Sequence, residues 1–148
     1  MKLNILPVKP FQQKVNQGTC GPASLKMVFE YYGVKKTEKE LAKMCGTTRQ
    51  MGTSATGLKT GAEALGFTVQ IKDNRTFEDI QTWLDKKVPV IVNWFTRGRT
   101  DYSDSEVPDG HYSVVVGLDK NYIYLQDPEI GKLRKLTRKD FMKPEFNK

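Results

Sequence analysis

The chain changes its pattern of apolar residues near its middle, and this change limits the folds it can adopt. In the first half, apolar residues recur at three- and four-residue steps, as they do on the buried face of a helix. In the second half, runs rich in β-branched and aromatic residues predominate, which is typical of strands. No low-complexity or Pro/Gly-rich linker separates the halves. We therefore expect helices followed by strands in a single domain that spans residues 1–148.

Local signals set the ends of the predicted elements. Thr19 and Thr76 are expected to cap helices through their hydroxyls, and Thr37 with Glu40 matches a capping box. Helices are predicted over 20–32, 38–45, 54–65, 77–84 and 137–141, and strands over 67–71, 88–94, 111–118, 122–126 and 132–136. In the third helix, Gly57 and Gly61 lie one turn apart, a spacing that allows another backbone to approach closely.

Composition argues against several classes of function. The net charge is +7, but the basic residues are scattered and not interleaved with aromatic residues, so we expect no nucleic-acid binding. No apolar run approaches the roughly 20 residues that span a bilayer, and the N-terminus lacks the apolar core of a signal peptide, so a cytoplasmic protein is expected. Two cysteines and one histidine favour neither a disulfide framework nor a zinc site, and we expect no metal or cofactor.

Cys20 is the strongest candidate for a reactive group. It stands at the first turn of a predicted helix, where unpaired backbone N–H groups and the positive end of the helix dipole favour a thiolate. Pro22 suits such a helix start because it has no N–H and its φ is already helical. The other cysteine, Cys45, lies on the apolar side of the second predicted helix and is interpreted as a small buried hydrophobe.

A thiol nucleophile needs a base, and the base needs a third group to orient it. His111 is the one histidine of the chain, so the candidate base is unambiguous. Asp127 ends the strand that is predicted to form a hairpin with the strand of His111, through a turn at residues 119–121. In that hairpin both residues lie at the open end, where opposed side chains have Cβ atoms about 5 Å apart. The register therefore predicts that Asp127 orients His111.

An oxyanion intermediate needs hydrogen-bond donors aimed at it. The backbone N–H of Cys20, at a helix N-terminus, is one candidate. A side-chain amide just upstream is a natural second donor, and Gln12, Gln13 and Gln17 all qualify by residue type.

Three stretches of the chain together resemble the C39-like family of papain-fold cysteine peptidases: FQQKVNQGTCGPASLKMVFEYYG at 11–33, GHYSVVVGL at 110–118 and YIYLQDPEIG at 122–131. The resemblance implies an α+β, papain-like fold with N-terminal helices packed against a C-terminal antiparallel sheet. It also implies Cys20 as nucleophile, His111 as general base and acid, and Asp127 as the orienting group. The family's oxyanion glutamine falls at Lys14 here. A one-residue insertion in the turn before Cys20 would shift this role to Gln13, which we expect ahead of Gln12.

The predicted function is hydrolysis of a peptide bond in a peptide or protein substrate. The family also includes domains fused to peptide exporters, which cut leader peptides after a double glycine. Three alternatives stay open at this stage: an acyl transferase that uses the same thioester chemistry, a peptide-binding module that does not cleave, and a basic nucleic-acid binder. The long polar segment 96–110 is a candidate lid. Trp94 and Phe95 are candidate groove residues, although aromatic residues at the end of a strand more often pack in the core.

Overall fold

The computed structural model describes residues 3–14, 19–48, 52–72, 76–94 and 111–142. Within these ranges, four helices precede the sheet and a short one follows it: α1 (Cys20–Tyr31), α2 (Glu38–Met44), α3 (Ala55–Ala64), α4 (Phe77–Asp85) and α5 (Arg138–Phe141). The strands are β1 (Val90–Trp94), β2 (His111–Leu118), β3 (Tyr122–Asp127) and β4 (Lys132–Thr137). The order of helices and strands follows the sequence-based expectation, with one exception described below.

Helix capping agrees with the sequence at two positions and differs at a third. The Thr37 hydroxyl accepts the N–H of Glu40 at 3.0 Å, and the Glu40 carboxylate accepts the N–H of Thr37 at 3.1 Å, so the capping box is present. Thr76 caps α4 in the same way. The prediction for Thr19 was wrong: its side chain makes no capping hydrogen bond, and its ψ of 16° departs from the extended geometry of the other caps.

The described residues form an antiparallel sheet in the order β1-β2-β3-β4. Trp94 pairs with His111 at one end of β1 and β2, and Val114 pairs with Gln126 between β2 and β3. A register shift between Val115 and Gly117 places an irregularity in the middle of β2. The start of β2 and the end of β3 therefore lie side by side at the same end of the sheet.

The predicted strand at 67–71 was wrong. This segment forms no ladder with another strand of the described residues. Phe67 and Val69 pack on the helical layer instead, and the ring of Phe67 stacks on that of Phe29 in α1, with centroids 4.7 Å apart. Ile71, the third apolar residue of the alternating pattern, is exposed. Two of the alternating apolar residues are thus partly buried although the segment pairs with no strand of the described residues.

Helix α1 packs between two apolar clusters. Met27 belongs to the cluster formed with the sheet and α4, whereas Leu25 and Phe29 belong to the cluster formed with α2 and α3. Because both sides of α1 are buried, the position of its N-terminal residue relative to β2 is fixed by packing. None of the helices in the described part of the chain has the length and apolarity needed to cross a membrane.

Candidate active site

Cys20 and His111 come from opposite halves of the chain and meet in the fold. Cys20 is the first residue of α1 and His111 is the first residue of β2. Both are buried, with 4% and 5% of their surfaces exposed. The Cys20 side chain lies within hydrogen-bonding reach of the imidazole. The contact follows from the packing of α1 across β2, which brings the helix start to the strand start.

Asp127 holds the opposite side of the imidazole. Nε2 of His111 donates to Oδ1 of Asp127 at 2.8 Å, and Asp127 is 1% exposed. The same carboxylate oxygen accepts the N–H of Glu129 at 2.9 Å, which fixes its direction. Because Nε2 is used by Asp127, the nitrogen left for Cys20 is Nδ1. A thiol, an imidazole and a carboxylate in this order are the parts of a nucleophilic acyl-transfer site.

The surroundings of His111 favour its charged form. Burial alone lowers the pKa of His111, but hydrogen bonds and charge from Asp127 and Cys20 outweigh this and raise the pKa to about 10. Cys45 lies in different surroundings, because burial without such partners raises the pKa of its thiol to about 11. Cys20 is therefore next to a group that carries positive charge at neutral pH, and among the described residues no such partner contributes to the pKa of Cys45.

Trp94 packs next to His111 of the Cys20–His111 pair. It ends β1, is buried, and places its ring centroid 6.2 Å from that of His111. Its indole N–H donates to the hydroxyl of Ser113 at 3.0 Å. Trp94 therefore packs beside the imidazole and is not an exposed groove residue. Ser113 was not among the residues predicted for the site, although its place two residues after His111 puts it on the same face of β2. Phe95 and the segment 96–110 lie outside the described residues.

The two described glutamines upstream of Cys20 differ in orientation. Gln12 is exposed, and its side-chain amide donates to the carbonyl of Glu129 at 3.1 Å. Gln13 is half-buried, and its side-chain oxygen is fully buried. The backbone N–H of Gln13 donates to the carbonyl of Pro128 at 2.8 Å, which ties this segment to the turn that follows Asp127. Gln17 lies outside the described residues.

A metal site has no support in the described ranges: no cluster of three or more His, Cys, Asp or Glu side chains there is arranged to hold an ion.

Comparison with known proteins places this arrangement in context. A family profile described as "Peptidase_C39 like family" matches residues 5–148. Among curated proteins, the chain is 38% identical over 133 residues to the transport/processing ATP-binding protein ComA of Streptococcus pneumoniae. The match covers 88% of this chain and 17% of ComA, so the chain spans about a sixth of the length of that relative.

Solved structures share the fold. The crystal structure of the peptidase domain of Streptococcus ComA, a bi-functional ABC transporter involved in quorum sensing, superposes with a TM-score of 0.72 and 28% identity, covering 90% of this chain and 89% of that one. A double glycine motif protease from an AMS/PCAT transporter, crystallised with the leader peptide, has a TM-score of 0.57 and 19% identity, covering 95% and 90%. The family resemblance and the papain-like α+β fold expected from the sequence are confirmed.

Proposed function

The chain belongs to the Peptidase_C39 like family, and we propose that it is a cysteine peptidase that hydrolyses peptide bonds. In this proposal Cys20 is the nucleophile, His111 the general base and acid, and Asp127 the group that orients the imidazole. The observation that carries it is the chain of contacts from the Cys20 side chain through the His111 ring to the Asp127 carboxylate.

The reaction starts from the pair in which the Cys20 proton is already on Nδ1 of His111, so that a thiolate lies beside an imidazolium. The thiolate attacks the carbonyl carbon of the scissile amide and forms a C–S bond. His111 then donates its proton to the leaving nitrogen, the C–N bond breaks, and an acyl-enzyme remains. Water, activated by the neutral imidazole, hydrolyses the thioester and releases the acid and the free thiol.

Asp127 serves each proton transfer without itself taking a proton. Its hydrogen bond to Nε2 keeps Nδ1 directed at Cys20 and stabilises the imidazolium. Glu129 contributes a backbone N–H that holds the carboxylate in place. Burial of the pair strengthens this interaction, because little water competes for the charges.

The negative oxygen of the tetrahedral intermediate needs two donors. We assign these to the backbone N–H of Cys20, at the N-terminus of α1, and to the side-chain amide of Gln13. The inward side chain of Gln13 supports this choice over Gln12, whose amide is engaged with Glu129 at the exposed surface.

We propose a peptide with a double-glycine leader as the first substrate to test. ComA is named a transport/processing protein, and the AMS/PCAT protease was crystallised with its leader peptide. The present chain matches only the peptidase portion of ComA, so transport is not part of the proposal.

The test compares wild type with Cys20→Ala and Cys45→Ala, using a synthetic double-glycine leader peptide and a casein digest, with products identified by mass. Wild type and Cys45→Ala are expected to cleave, while Cys20→Ala is inactive with an unchanged circular dichroism spectrum. Cleavage by Cys20→Ala at the wild-type rate would refute the assignment. If an amine is added to the assay and becomes attached to the product, its mass would identify an acyl transferase. Binding of the peptide by wild type without cleavage would identify a peptide-binding module.

A further inference from the structure

Glu38 is a buried acidic residue, and capping of the helix that it begins does not explain its burial. It is the first residue of α2 and is 5% exposed. Capping of α2 is already carried out by Thr37 and Glu40, which exchange hydrogen bonds across the helix start. Since a carboxylate is costly to bury, the position of Glu38 calls for a different explanation.

The carboxylate of Glu38 binds the backbone that carries Gln13. Its Oε1 and Oε2 accept the N–H of Lys14 at 2.9 and 3.2 Å. The contact is made by the main chain of Lys14, while the residue itself is exposed. A charged acceptor makes a stronger hydrogen bond than a neutral one, and here it links α2 to the segment 12–14.

Both peptide groups that flank the α-carbon of Gln13 are held. The N–H before it donates to Pro128, next to Asp127, and the N–H after it donates to Glu38. Anchoring of both peptide groups fixes the direction in which the Cα–Cβ bond of Gln13 leaves the backbone. In Gln13 that direction leads inward, because the side-chain oxygen is buried.

We propose that Glu38 is a positioning residue for Gln13: it holds the backbone so that the Gln13 amide is aimed at the oxyanion. This inference rests on the proposed function, in which Gln13 is a donor to the tetrahedral intermediate. Glu38 acts through Gln13, by way of its hydrogen bonds to the Lys14 N–H.

The test measures kcat and KM for Glu38→Met, which removes the acceptor while keeping the side-chain length, and for Glu38→Gln, which keeps a neutral acceptor. Glu40→Ala is the matched control, because it breaks the capping box of the same helix without touching Lys14. All rates are normalised to the amount of Cys20 that iodoacetamide alkylates rapidly at pH 6, where the thiol of an unfolded chain is mostly protonated and reacts slowly, so that a partly unfolded preparation does not distort the comparison.

We expect Glu38→Met to lower kcat by about 10- to 100-fold with little change in KM, because a small misplacement of a catalytic donor has effects of that size. Glu38→Gln should recover most of the loss, and Glu40→Ala should retain the wild-type kcat. The alkylation rate constant of Cys20 should not change in any variant. In a Gln13→Ala background, Glu38→Met should cost nothing further.

Two results overturn the inference while leaving the peptidase intact: a wild-type kcat for Glu38→Met, or a loss of kcat that persists unchanged in the Gln13→Ala background. The second result would show that Glu38 affects kcat by a route that does not involve Gln13. Failure of the proposed function is a different outcome, in which wild type shows no Cys20-dependent turnover of any peptide.

Discussion

Nε2 of His111 lies 2.8 Å from Oδ1 of Asp127, and both side chains are almost fully buried. The carboxylate raises the pKa of His111 by hydrogen bonding and by charge, against the lowering effect of burial. This pair determines how the candidate site should respond to pH.

Asp127→Asn should move the alkaline limit of activity to lower pH. The pKa of His111 is raised to about 10, so the imidazolium is present below that value and is lost as the pH rises through it. Loss of the Asp127 charge removes a cause of the raised pKa, and a shift of about one to three pH units is expected. The pH dependence of kcat/KM measures it. An unchanged alkaline limit in the variant would contradict the role of Asp127.

The two thiols should differ in reactivity at pH 6. Cys20 contacts an imidazolium, whereas burial raises the pKa of Cys45 to about 11. A substrate must reach Cys20 for the proposed reaction, so a small reagent should reach it too. We expect iodoacetamide to alkylate Cys20 at least about 100-fold faster than Cys45, since the thiolate is the reacting species. Peptide mass mapping of a time course measures both rates.

The control for this experiment is His111→Ala, which should slow alkylation of Cys20 and leave Cys45 unaffected. Equal rates at the two cysteines in wild type would remove the thiolate–imidazolium pair from the mechanism.

Gln13 and Gln12 should differ sharply on substitution. Gln13→Ala should reduce kcat by about 100- to 1000-fold, the usual cost of losing one oxyanion donor. Gln12→Ala is the matched control, and since the Gln12 amide binds Glu129 at the surface it should change kcat by less than about threefold. The assignment is wrong if the larger loss falls on Gln12, or if neither substitution affects kcat.

Gly57→Ala should destabilise the fold. A Cβ at this position would lie 2.2 Å from the backbone carbonyl oxygen of Cys45, so α2 and α3 must move apart. We expect a loss of about 1–3 kcal/mol in the free energy of unfolding, typical of overpacking. Urea denaturation measures it, with Thr60→Ala on the exposed side of the same helix as a control expected within about 0.5 kcal/mol of wild type. A free energy of unfolding equal to that of the control would contradict this prediction, because it would mean that α2 and α3 move apart without loss of stability.

Much of the secondary structure could be predicted because its signals are local. The Thr37–Glu40 capping box and the spacing of Gly57 and Gly61 each act within a few residues, and the structure contains the corresponding contacts. The prediction at 67–71 failed because alternation reports burial of one side and not backbone pairing. The prediction that Thr19 caps α1 failed because the residue type suits a cap but does not determine the backbone angles that capping needs.

By itself, the sequence determined the candidates for the chemistry: one histidine, a cysteine at a helix start, and an aspartate at the open end of a hairpin. These followed from residue type and from short-range register. Only the tertiary structure decided that the Cys20 side chain meets His111, that Trp94 lies beside the imidazole, and that Glu38 binds the backbone next to Gln13. Such contacts join residues far apart in the chain, and they depend on how helices pack against strands, which no local pattern encodes.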